Sequence, residues 1–209
     1  MRRAIVGVIL FFYLLALVGC HERYEVIAEK PVLYLYAQHE TEVTVQLEFD
    51  GELTTTYPAY HEGWHVTAYP NGRLLNHADG REYHYLFWEG TPYSAKYDFS
   101  RGYCIAGKDT AAFLQDILPE IGLSTKEYND FIVYWLPRMQ GSDYNLISFQ
   151  SEAYTDTAAL QINPSPDNLL RVFMAWKPIQ NKIDLLPQEF PDFVREGFTV
   201  VEWGGAQVS

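Results

Sequence analysis

The hydrophobic period of the chain changes once, close to Cys104. Before that point apolar and polar residues alternate. Val43, Val45, Leu47 and Phe49 interleave with Thr44, Gln46, Glu48 and Asp50, the two-residue period of a half-buried strand. Asp50-Gly51 is a turn signal, and Leu53, Thr55 and Tyr57 resume the alternation. Trp64, Val66 and Ala68 mark a third strand, closed by Pro70-Asn71-Gly72. Asp79-Gly80 opens a fourth, with Tyr83, Tyr85 and Phe87 on one side and His84, Leu86 and Trp88 on the other. Residues 31–106 therefore predict an antiparallel meander, half of a sandwich or a strongly curled sheet.

Past Cys104 the period lengthens. Asp109 can cap a helix carrying Phe113, Leu114, Ile117 and Leu118 on one face, with Gly122 ending it. Ser124-Thr125-Lys126-Glu127 is a capping box, with Leu123 and Tyr128 placed as a hydrophobic staple. The helix it starts sets Phe131, Ile132, Trp135 and Met139 along one stripe. Strands return at about 144–150, 158–163, 169–177 and 198–203, with Asn163-Pro164-Ser165-Pro166-Asp167 as the loop of a hairpin. A short helix fits between Pro187 and Glu196. The expected fold class is α+β: an N-terminal antiparallel β module, 31–106, packed on a C-terminal α+β module, 107–209.

The first nineteen residues follow neither period. Arg2 and Arg3 precede an apolar and aromatic run from Ala4 to Val18, short for a membrane span and suited to an export signal. Leu17-Val18-Gly19-Cys20 resembles the lipobox of bacterial lipoproteins, in which a small residue precedes an obligatory cysteine. The resemblance implies a signal peptide over 1–19, removed before Cys20. It also implies a diacylglycerol (a palmitate-type anchor) on the Cys20 thiol and acylation of the new N-terminus. One acyl chain holds a membrane weakly and two or three hold it durably. Residues 20–30 then read as a lipidated tether, polar from His21 to Lys30.

Charge narrows the partners. Signal removal takes away two arginines and no acid, so the formal charge moves from −12 to −14. So acidic a surface disfavours nucleic acid and anionic headgroups, which leaves the lipid to hold the protein on its membrane. With Cys20 acylated, Cys104 is the one remaining cysteine and no internal disulfide can form.

A second resemblance rests on longer segments. Lys30-Pro31-Val32-Leu33-Tyr34-Leu35-Tyr36, Tyr85-Leu86-Phe87-Trp88-Glu89-Gly90 and Val201-Glu202-Trp203-Gly204-Gly205 look like a family of uncharacterised microbial proteins, many with export signals. It would span most of the mature chain and implies no activity and no catalytic residues.

Three motifs suggest chemistry that their context opposes. His61-Glu62-Gly63-Trp64-His65 matches the His-Glu-x-x-His zinc signature, which needs a helix to bring both imidazoles to one ion. Pro58, Gly63 and the alternation after Trp64 point to loop and strand, where residues four apart lie about 13 Å from each other. No metal is expected. Gly102 to Lys108 nearly forms a phosphate loop, but Asp109 stands where magnesium binding needs Ser or Thr. Cys104 could act as a nucleophile only beside a base or a helix N-terminus, and the sequence suggests no more than the second; a packed thiol is the expectation.

Aromatic content is the more informative feature. Sixteen tyrosines and five tryptophans are many for a core of this size, and both side chains favour partly wet positions. Trp88-Glu89 and Glu202-Trp203 each end a strand before glycine. Either the indoles pack inside while the glutamates cap strand ends, or Trp88 and Trp203 line a surface for carbohydrate or peptide. Glu89 and Glu202 could also serve a glycosidase as paired carboxylates. The expectation is a non-catalytic, extracytoplasmic lipoprotein of the cell or outer membrane that binds an envelope glycan or peptide without a cofactor; a hydrolase is the alternative.

Overall fold

The computed structural model describes residues 26–208. Among these residues twelve strands form two sheets. Sheet A runs β3 (Gly51–Tyr57), β7 (Leu86–Pro92), β1 (Glu29–Tyr36), β12 (Thr199–Gln207), β11 (Asn168–Ile179), β9 (Tyr144–Gln150), β8 (Tyr103–Ala106). Sheet B runs β10 (Ala158–Asn163), β2 (Thr41–Phe49), β4 (Trp64–Ala68), β5 (Leu74–Asn76), β6 (Arg81–Tyr83). All pairs are antiparallel except β11 with β12. Helices α1 (Thr110–Ile121) and α2 (Thr125–Met139) cover the face of sheet A opposite sheet B. The single turn α3 (Glu152–Thr155) follows β9. The fold is α+β and dominated by its two sheets.

Sheet A lies between two cores. Leu33 and Leu35 of β1 face sheet B among Val43, Val45, Trp64 and Trp88. Val32 and Tyr34 face the helices among Leu118, Phe131 and Trp135. Such strands read as continuous apolar runs because neither face meets water. Each large side chain hidden this way contributes about 1.5–3 kcal/mol. Gly205 lets the helical layer sit close: a Cβ there would lie 2.5 Å from the Met174 carbonyl oxygen and 2.7 Å from the Trp135 ring.

The capping box and the apolar stripe of α2 are both used. The Glu127 carboxylate accepts the Ser124 backbone N–H at 2.7 Å, and Phe131, Ile132, Trp135 and Met139 are buried. Gly122 ends α1 with φ of 118°, and its N–H donates to the Leu118 and Pro119 carbonyls. Asp109 stands at the start of α1, after a 3-10 turn, but its side chain caps nothing.

Connectivity departs from the expected meander. Asp50-Gly51 is no hairpin turn: it carries the chain from sheet B into sheet A. The expected fourth strand breaks at His84–Tyr85, leaving β6 in sheet B and β7 in sheet A. The loop 163–167 also crosses between sheets, so β10 and β11 do not pair. Turn chemistry reverses the chain without naming the sheet it enters. Residues 187–196 form no helix; there the Gln188 amide exchanges both hydrogen bonds with the Phe149 backbone. Glu29 and Lys30, expected in the tether, belong to β1. The stretches 31–106 and 107–209 each contribute strands to both sheets, so neither sheet belongs to one stretch alone.

Gly205→Ala should lower stability by about 1–3 kcal/mol through overpacking. Urea unfolding would show this as a lower midpoint with an unchanged slope.

Candidate functional site

The residues singled out from the sequence fall on opposite faces of sheet A. Trp88 and Glu202 point between the sheets, and Trp203 points under α2, where its ring centroid lies 5.2 Å from that of Phe131. Glu89 lies on the outer face, where its carboxylate accepts the Lys30 backbone N–H at 3.2 Å. Trp88 is fully buried and Trp203 is 1% exposed. Indeed all five tryptophans are buried, so the surplus of exposed rings belongs to tyrosine. No cleft holds both carboxylates. Paired-carboxylate hydrolysis needs them on either side of one bond.

Glu202 sits in a closed polar knot. It is wholly buried, bonds Arg171 Nε at 2.6 Å and accepts the Trp88 indole N–H at 3.2 Å. Arg171 and Glu202 are register partners on parallel strands, which puts both on the same face. The Arg171 guanidinium lies 4.7 Å from the ring centroid of Tyr154, and that ring stacks on Phe173 at 4.1 Å. Burial, then the Glu202 charge, holds the Tyr154 hydroxyl protonated far above its ordinary range. Burial alone would lower Arg171, but the Glu202 charge and then Tyr154 outweigh it. The knot offers ligand no access. Its only hint in sequence is one arginine at the head of an apolar strand.

The other motifs are ordinary structure. His61 lies in the bend before β4, and His65 is on the exposed side of that strand, beside a cavity of about 610 Å³ that His77 also lines. Among the described residues no group of three or more His, Cys, Asp or Glu is placed to hold a metal ion. Residues 103–106, which a phosphate loop would need as loop, are strand β8 paired with β9. The half-buried Cys104 thiol accepts the Ile183 N–H at 3.4 Å. Cys20 lies outside the described residues.

Sheet A does present an open aromatic shelf beyond α2. Tyr57 of β3 and Phe87 of β7 are register partners, and Phe87 in turn pairs with Val32 of β1. Tyr57 is 57% exposed, while Tyr85, Phe87, Glu89 and Tyr134 are half-buried. The Lys30 ammonium stands among three rings, 5.4 Å from the centroid of Tyr85, 5.1 Å from Phe87 and 5.7 Å from Tyr134.

Backbone irregularities concentrate there. The β1–β12 register slips between Glu29 and Val32, and the β3–β7 register slips between Leu53 and Thr55. Lys30 is left-handed, with φ of 58°, which costs a residue with a Cβ about 1–2 kcal/mol. Bulges re-aim side chains and cluster beside functional sites, as does backbone strain. Burial, then the Glu29 charge, raises the Tyr134 phenol; burial and the Asp130 charge raise Tyr34 and Tyr85. These hydroxyls stay hydrogen-bond donors well into alkaline pH. Of the shelf, the sequence singles out Glu89 as a site residue; it assigns Lys30 to the end of the tether and marks Tyr57 only as a strand position.

Glu202→Gln should cost about 3–5 kcal/mol, because it leaves the buried Arg171 charge uncompensated. The double replacement Arg171→Met with Glu202→Leu should recover most of that loss in thermal melts.

No protein-family model, curated protein or solved structure matches this chain.

Proposed function

We propose that the chain is an extracytoplasmic lipoprotein, anchored through Cys20, that holds an envelope glycan on the shelf formed by Tyr57, Tyr85 and Phe87. The observation that carries this reading is the bulged, left-handed Lys30, which brings its ammonium among half-exposed rings while its backbone N–H donates to the Glu89 carboxylate. Sugar rings present apolar C–H faces and a rim of hydroxyls. Flat aromatic area takes the faces, while Lys30, Glu89 and the phenols orient the rim. The lipobox residues supply the anchor. No helix among the described residues is long and apolar enough to cross a membrane.

Two measurements test the parts separately. In cells fed a fatty-acid probe, the protein should take up label, and Cys20→Ala should abolish it; label that survives the substitution refutes the anchor. On an array of bacterial envelope polysaccharides, the purified full chain should retain a subset. Tyr57→Ala should weaken that retention about tenfold, or about 1.4 kcal/mol, with an unchanged melting temperature. Equal retention by the variant, or none by the wild type, refutes the glycan reading.

A further inference from the structure

Sheet A has a vacant strand position. β9 pairs with β11 only as far as Gln150–Phe173, and after Ser151 the chain turns away into α3. β11 nevertheless runs back to Asn168, paired along its other side with β12. From Asn168 to Val172 the side of β11 that β9 would have occupied carries no strand among the described residues. Alternate residues of a strand direct their N–H and C=O groups to opposite sides, so about half of those groups face the gap.

The segment 188–193 passes this edge without closing on it. Between them lies a cavity of about 410 Å³, within the range of specific ligand sites. Phe149, Phe190 and Phe193 give it an apolar wall. Glu189 and Asp192, both exposed, give it negative charge, while the Arg171 side chain, paired with Glu202, is directed to the other face of sheet A. We propose that this slot receives an extended peptide, which joins sheet A as a strand in the line vacated by β9. An apolar or aromatic side chain of the peptide enters among Phe149, Phe190 and Phe193, and a lysine or arginine meets Glu189 and Asp192.

Each part of the slot selects this occupant. A free strand edge is satisfied by another backbone, which supplies hydrogen bonds in register while side-chain pockets supply specificity. A second copy of this chain, with a net charge of −12, would bring further negative charge against Glu189 and Asp192. The slot lies at β11, four strands away from the Tyr57 edge of the same sheet, and does not depend on the glycan reading.

The test uses the full chain in detergent and a phage-displayed library of random heptapeptides. Selection should enrich sequences with an aromatic or large apolar residue flanked by lysine or arginine. A fluorescein-labelled consensus peptide should then bind at least tenfold more weakly to the double variant Glu189→Lys with Asp192→Lys. N-methylation of alternate peptide amides should abolish binding in one register and spare it in the other. Three outcomes overturn the proposal: no enrichment over the blank surface, binding indifferent to the charge reversal, or binding indifferent to N-methylation in both registers. A dimer seen in sedimentation that blocks the peptide would also overturn it, assigning the edge to self-association.

Discussion

The structure depends on covering sheet A twice. β1 and β12 are buried on both faces, so a single packing partner would leave half of each strand in water. Sheet B covers one face and α1 with α2 cover the other. The crossovers follow from that demand. A chain that must build two sheets around a shared layer passes between them at Asp50-Gly51, at His84-Tyr85 and at 163–167. Helical cover stops short of β3 and β7, and that shortfall is what leaves Tyr57 and Phe87 accessible beside a buried core.

Charge follows the same division of faces. Glu202 and Glu89 look equivalent in sequence, each a carboxylate beside tryptophan before glycine. One points inward and must be neutralised, which Arg171 does; the other points outward and keeps a wet edge. Because β11 and β12 run parallel in register, Arg171 and Glu202 meet without any loop to bring them together. Replacing such a pair by apolar residues of similar volume is often neutral or stabilising. The knot is therefore better understood as fixing the register of two central strands than as a store of stability.

What the sequence disclosed was local. The capping box, the stripe of α2 and the glycine closing α1 depend on residues within one or two turns, and each appears where the pattern placed it. Strand positions were legible for the same reason, since alternation records which residues share a face. Strand partners were not, because alternation does not record whose strand lies alongside. Phe190 and Phe193 have helical spacing, yet Pro191 lies between them and Gln188 is committed to the edge of β9, so tertiary hydrogen bonds decide that segment. For the site, Glu89 was legible as a carboxylate at a strand end. The Lys30 geometry was not, because a bulge is a property of two paired strands.

The placement of β12 has a consequence for how the molecule is made. Residues 199–207 are synthesised after every other strand of sheet A, yet they lie between β1 and β11. Until they arrive, β3-β7-β1 and β11-β9-β8 are two fragments with no ladder between them, and each exposes the side that β12 will take. Closure of sheet A therefore waits for residues 199–207, which join the two fragments in a single step.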